Sequence, residues 1–269
     1  MNIEILIPVR NPTEVFSQTI DSLTAQTDKN FSVLISDNFS TQGAGQIEGA
    51  LAKLSAAGIP ARKTRPPAEL GRVEHWNWLH HQSQAEWHKP LFAGDWLEPD
   101  YISTIFKTAQ AAPACGFIYC GFQLHRDGKI ETVISHWSGR FFTAREMQDV
   151  VLRYAMQFGP PSAAAYKRDH FLKSGGYDPS LPICADSLFF CRLAARHGAF
   201  GVPEAKVHFC IHAARFSDQL PSKRRETFRE QMRYLWALGR TAHREGWSFP
   251  VFGYTRLFAR EIFCYFKLR

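Results

Sequence analysis

No run of 18 to 20 uninterrupted apolar residues occurs in the 269-residue sequence, so no segment has the length and composition of a membrane-spanning helix. The apolar stretch at 3–9 is too short for a secretory signal segment and runs into a Pro-Val-Arg-Asn turn. The six cysteines form neither a CxxC pair nor a regular framework, and several sit inside apolar runs as small hydrophobes do. Together these absences point to a reducing, cytoplasmic setting. No GxGxxG follows the first strand pattern, which argues against a dinucleotide oxidoreductase. Helix-turn-helix, zinc-finger and RNA-recognition signatures are missing too, so nucleic acid is not an expected partner. Neither internal repeats nor low-complexity linkers break the chain, and its elements are expected to share a core.

What is present is ordinary for a soluble globular protein: 45% apolar and 21% charged residues. The net charge of +7 is unevenly placed. Residues 223–269 hold 11 Lys/Arg against 4 Asp/Glu, while the remainder balances at 21 against 21. Such a basic segment suits an anionic surface or, more simply, a solvated helix face.

In the first hundred residues short apolar runs alternate with helical patterns. Strands are predicted over 3–8, 31–36, 61–64 and 90–93. Helices are predicted from an Asn11-Pro12-Thr13-Glu14 cap to about Ala25, then over 44–57 and 72–82. This order implies an α/β fold with a mostly parallel sheet and helices on both faces. Beyond Asp100 come a helix over 101–111, a strand over 117–124, an Arg126-Asp127-Gly128-Lys129 hairpin into 130–134, and strands over 162–166 and 206–210. A small antiparallel addition follows from these. Helices are predicted over 187–196 and 224–243.

In an open parallel sheet, ligands bind outside the carboxyl ends of the strands. Three such loops carry polar groups: Pro8-Val9-Arg10-Asn11, Ser36-Asp37-Asn38-Phe39-Ser40 and Ala93-Gly94-Asp95-Trp96. Each alone reads as turn chemistry, since Asn, Asp and Ser cap and turn chains everywhere. Their coincidence at one sheet edge is the informative feature.

The IPVRN opening, the Ser22-Leu23-Thr24-Ala25-Gln26-Thr27 helix end and the NFSVLISDNFST segment resemble the start of family 2 glycosyltransferases. The similarity continues through Asn77, Asp95-Trp96-Leu97-Glu98-Pro99-Asp100, Gly175-Gly176-Tyr177-Asp178, Ala185-Asp186, and His212 with Ser217. It implies a GT-A-like domain over 1–218 and an inverting transfer from a nucleotide-diphosphate sugar to a hydroxyl acceptor. It also implies a nucleotide site made of Pro8, Val9, Arg10, Asn11, Asp37, Asn38, Arg72 and Gly94, with Asp37 meeting the base. Arg72 would reach phosphate or base, or serve as an ordinary exposed arginine.

By the same resemblance Asp95 is the ligand for a divalent cation, Mn²⁺ or Mg²⁺, with His212 as a second ligand, a phosphate contact or a structural histidine. The acidic cluster is reduced, because Phe92-Ala93-Gly94 precede Asp95 where the family commonly has further acids. Glu98 and Asp100 are read as caps of the following helix. Asp186 takes the place of the catalytic base, and helix capping is compatible with that role.

The resemblance further implies a bacterial surface polysaccharide or lipid-linked glycan as product, with UDP, GDP or dTDP open as the nucleotide. The basic segment over 219–269 includes a helix with Tyr254, Leu257, Phe258, Ile262, Tyr265 and Phe266 on one face and Arg256, Arg260 and Lys267 on the other. That face would lie peripherally on an anionic membrane, or pack on the domain or on a second subunit of a homodimer. The alternative class is a non-catalytic GT-A-fold protein that binds a nucleotide, a sugar or a partner.

Overall fold

The computed structural model describes residues 1–155, 158–211, 224–247 and 251–267. In the first half, strands β1 (Ile3–Val9), β2 (Phe31–Asp37), β3 (Ala61–Thr64), β4 (Trp87–Pro90) and β5 (Trp96–Leu97) alternate with helices α1 (Val15–Thr24), α2 (Ala44–Ala56) and α3 (Arg72–Gln82). Helix α4 (Tyr101–Ala111), strands β6 (Phe117–Arg126), β7 (Lys129–Val133) and β8 (Phe141–Phe142), and helix α5 (Ala144–Tyr154) follow. The described chain ends with β9 (Ala164–Lys167), α6 (Arg168–Ser174), α7 (Ala185–His197), β10 (Ala199–Cys210), α8 (Arg224–Arg244) and α9 (Val251–Lys267).

The sheet order is β3-β2-β1-β4-β9-β6-β10-β5, with β7 added on β6 and β8 on β10. Strands β3, β2, β1 and β4 are parallel, as are β6 and β10. Strands β5, β7, β8 and β9 run antiparallel to their neighbours. The predicted hairpin joins β6 to β7 through Asp127 and Gly128, both at positive φ, as a two-residue primed turn requires.

One core lies between the first strands and α1, α2 and α4, built from Ile5, Ile7, Ile20, Val33, Leu54 and Ile102 among others. The other joins Phe117, Tyr166, Phe189 and Phe190 to Leu238, Tyr254 and Leu257 of the C-terminal helices. Tyr254 and Leu257 are thus covered by the protein, and Phe258 packs against them. Of the predicted membrane-facing residues, Ile262 stays exposed, as does its neighbour Phe263, while the side chains of Tyr265 and Phe266 lie outside the described set. Among the described residues no helix is long and apolar enough to cross a membrane.

Several local expectations are corrected. Helix α1 starts at Val15, because Asn11 sits at φ 50° and its side chain accepts from the Thr41 N–H at 2.8 Å. It ties two loops together and caps no helix. Strand β4 comes three residues earlier than predicted, since its His88 and Lys89 are buried polar residues that hide the strand signal. Helix α5 was not predicted, although Thr143 and Glu146 form its capping box. Glu98 and Asp100 do not cap α4: they pair with His208 at 2.7 Å and Lys206 at 2.6 Å on β10.

Candidate functional site

The parallel ladder puts Val9 opposite Asp37, and Leu6 opposite Pro90. The loops leaving β1, β2 and β4 therefore emerge at the same sheet edge, bringing Pro8 to Asn11, Asp37, Asn38, Gly94 and Asp95 to one side. Asp37 is buried and accepts from Arg65 and from the Ser40 N–H at 2.9 Å. Burial raises its pKa, but Arg65 and Ser40 outweigh that effect and leave it below the ordinary value. Arg65 also lies 5.1 Å from the centre of the Phe39 ring.

Asn38 braces the next loop. Its amide donates to the Leu70 carbonyl at 2.8 Å and accepts from the Leu70 N–H at 3.0 Å, while its own N–H donates to the Val9 carbonyl at 2.9 Å. Arg10 is exposed and pairs with Glu69 at 2.6 Å. Behind the edge, Ser36 Oγ and His75 Nε2 lie 2.7 Å apart, and burial pushes the His75 pKa down to about 4.

Gly94, at φ 95°, allows the β4–β5 loop to turn back, and its N–H donates to Thr19 Oγ1 at 2.9 Å. The next residue, Asp95, is 0% exposed. Its Oδ2 accepts from Ser162 Oγ at 2.6 Å and its Oδ1 from the Cys210 N–H at 3.3 Å. Lys89, also 0% exposed, donates to the carbonyls of Pro90 and Ser162. Burial lowers its pKa to about 7, against the pull of Cys120 and Asp95. Phe92 and Gly94 offer no oxygen donors from their side chains. Asp95 is therefore occupied by internal donors with a buried ammonium nearby, and the described donors do not make an oxygen cage for a divalent cation. Among the described residues no three His, Cys, Asp or Glu side chains are grouped to hold a metal; His212 lies outside them.

The other flank is aromatic. Arg72, in the first turn of α3, lies 4.7 Å from the Trp76 ring centre, and Trp76 lies 4.7 Å from Phe92. Arg72 also donates to the Pro182 carbonyl, and its charge opposes the rise that burial imposes on the Asp186 pKa. Asp186 is partly buried in the first turn of α7, where its Oδ1 accepts from the Ser187 N–H at 2.7 Å. The start of α7 is held from two sides. Asn77 exchanges two hydrogen bonds with the backbone of Tyr177, at 2.8 and 2.9 Å, and Glu230 of α8 accepts from the N–H groups of Ile183 and Cys184. At Gly176, φ 68°, a Cβ would stand 2.6 Å from Asn77 Oδ1. The glycine makes room for this clamp.

Sequence reasoning missed Arg65, Lys89, Ser162 and Glu230, because each acts on a partner far away in the chain. Beside Asp95, His208 stacks on Trp96 with ring centres 4.7 Å apart. It also lies 2.9 Å from His125, nitrogen to nitrogen.

A family model described as glycosyl transferase family 2 matches residues 4–175. The chain belongs to this family. Among solved structures it is similar to S. aureus TarS 1-349 in complex with UDP-GlcNAc, with TM-score 0.69 and 11% identity over 88% of this chain and 66% of that one. The mannosyltransferase PcManGT from Pyrobaculum calidifontis, in complex with GDP-Man and Mn²⁺, gives TM-score 0.60 and 15% identity over 90% of this chain and 64% of that one. At such identities the likeness concerns the fold, which is that of GT-A glycosyltransferases. The family 2 chain thus spans a little under two-thirds of these solved chains. No curated protein matches its sequence.

Proposed function

We propose that this family 2 glycosyltransferase moves a sugar from a nucleoside-diphosphate donor to a hydroxyl of a glycan or lipid-linked acceptor, with inversion, in the synthesis of a bacterial surface polysaccharide or related glycan. The donor's nucleoside lies across the ends of β1 and β2, over Pro8, Val9 and Arg10, with Asp37 accepting from the base. The neighbours' complexes with UDP-GlcNAc and GDP-Man support this class of donor. The observation that carries the reading is the placement of Asp186. It is a carboxylate of raised proton affinity in the first turn of α7, close enough to Arg72 of α3 for that charge to oppose the rise.

In the transfer, the acceptor oxygen bonds to the anomeric carbon as its proton passes to Asp186 and the carbon–oxygen bond to the diphosphate breaks. Arg72 is the fixed cation assigned to the departing diphosphate, since a guanidinium offers paired donors to phosphate oxygens. The Mn²⁺ complex of the mannosyltransferase suggests a divalent cation here as well. Asp95 already accepts from Ser162 and Cys210, and among the described residues no group of three His, Cys, Asp or Glu side chains stands ready to hold such an ion. Contact with a cytoplasmic membrane surface, where a lipid-linked acceptor resides, is proposed to rest on the exposed Arg256 and Arg260 of α9.

The test is turnover of UDP-, GDP- and dTDP-sugars. Asp186→Asn is expected to lower kcat by about a hundredfold to ten-thousandfold, because an amide cannot take the acceptor's proton, with nucleotide affinity preserved. Near wild-type kcat in that variant would assign the base elsewhere. Binding without turnover in the wild type would favour the non-catalytic reading.

A further inference from the structure

Between α7, α8 and α9 the protein holds a cavity of about 610 Å³, within the size range of small-molecule sites. Its wall on α8 is a stripe of Trp236, Arg240 and Arg244 at four-residue spacing, which places the three side chains on one helix face. Arg192 of α7 lines it from across the gap, and His243 and Tyr254 complete the polar lining.

Among the described residues no ion pair ties Arg192, Arg240 or Arg244 to a carboxylate, and the adjacent acid Glu245 is held by Arg196. Burial is the main cause that lowers the Arg192 pKa; the charges of Asp178 and Glu245 oppose it, and those of Arg196 and Arg244 push it the same way. Like charges gathered in a cavity disfavour the empty state and favour an anion. Trp236 is 63% exposed on a helix whose Tyr234, Leu235 and Leu238 are all buried. An indole left at the mouth of a basic cavity offers an apolar face beside the charged one.

We propose that this cavity is a second ligand site, for a phosphate-bearing molecule with an apolar portion. The arginines take the phosphate and Trp236 the apolar part. The assignment does not rest on the donor-site reading, since none of these residues belongs to that site. A lipid phosphate headgroup and a soluble phosphate ester share this chemistry, and the experiment separates them.

The full-length protein is titrated with phenyl phosphate by calorimetry and sedimented with phosphatidylcholine vesicles with and without phosphatidic acid. At least one phosphate probe is expected to bind. Binding to phenyl phosphate assigns a soluble ester, and binding to phosphatidic acid vesicles alone assigns a lipid. The Arg240→Glu/Arg244→Glu double variant, its fold checked by circular dichroism, is expected to bind that probe at least tenfold more weakly. Trp236→Ala is expected to weaken it several-fold. A charge-matched control, Arg225→Glu/Arg229→Glu, whose residues are exposed on α8 outside the cavity, is expected to leave it unchanged. Failure of both probes to bind overturns the proposal. So does equal binding by wild type and the cavity variant, or equal loss in the control, which would mark diffuse attraction to a basic protein.

Discussion

The two halves of the sheet reach the same edge by different means. Around β1, β2 and β4 the core is mostly aliphatic, with Ile3, Ile5, Ile7, Val33 and Ile35 in adjoining strands and Phe31 and Trp87 among them, and the backbone register alone puts Asp37 opposite Val9. Around β6, β9 and α7 the core is aromatic, with Phe117, Tyr166, Phe171, Tyr177, Phe189 and Phe190, and side-chain hydrogen bonds fix the geometry. His80 Nε2, Tyr166 and Tyr177 form a chain with 2.7 Å links. Asn77 and Glu230 hold the approach to α7. The half around β1, β2 and β4 is thus set by a repeating ladder and the half around α7 by a few long-range contacts, and single substitutions should separate them.

Glu230→Ala is expected to have the largest effect on stability. It removes a carboxylate that accepts from two buried N–H groups, and hydrogen bonds to a charged group contribute about 1.5 to 3 kcal/mol each. A loss of about 3 to 5 kcal/mol in denaturant unfolding is predicted, with kcat falling in the fraction that remains folded because the first turn of α7 loses its anchor. A loss below about 1 kcal/mol would show that α8 does not hold Asp186 in place.

Acid sharpens the comparison, since α3 turns one buried histidine toward each half, His75 against Ser36 and His80 against Tyr166. Burial depresses the pKa of both His75 and His80 to about 4 from 6.5. The unfolded chain therefore binds more protons between these values. The stability tied to the neutral rings is complete above pH 6.5 and is lost as pH falls through the folded pKa values. Each ring accounts for about 3 kcal/mol by pH 4. Denaturant midpoints measured from pH 7 to pH 4 should fall steeply, and His75→Asn should remove only part of that slope, because burial depresses His80, His88 and His197 as well. A flat profile in the wild type would contradict the assigned burial.

The same division explains what could be read from the sequence. The continuous apolar runs of β1 and β2 and the boundaries of α2, α3 and α4 were legible because neighbouring residues carry their signals. The edge position of Asp37 and Asp95 followed from parallel topology. Strand β4 was displaced in the reading because His88 and Lys89 are polar yet buried, and Lys89 finds its acceptor in Ser162, far along the chain. Nothing near Glu230 distinguishes it from any other acid in a basic helix. The pairing of Glu98 with His208 and of Asp100 with Lys206 was likewise invisible, and capping was the nearer explanation. The Thr143–Glu146 capping box, by contrast, is spelled out locally by a Thr and a Glu at the capping spacing.

A smaller effect is expected in the half around β1 and β2. Asn38→Ala removes both hydrogen bonds to the Leu70 backbone and should cost about 1 to 2 kcal/mol of stability. It should also weaken nucleotide binding, because the loop it braces leads into Arg72. Thermal unfolding with and without nucleotide checks both. An unchanged nucleotide-induced shift would detach that loop from the donor site.

The most direct test of the central claim is calorimetric titration of UDP, GDP and dTDP into the wild type, Asp37→Ala and Asp186→Asn. One nucleotide is predicted to bind the wild type, to bind Asp37→Ala at least tenfold more weakly, and to bind Asp186→Asn with wild-type affinity. Failure of all three to bind the wild type, or losses of equal size in the two variants, would contradict a donor site at the ends of β1 and β2 that is separate from the base on α7.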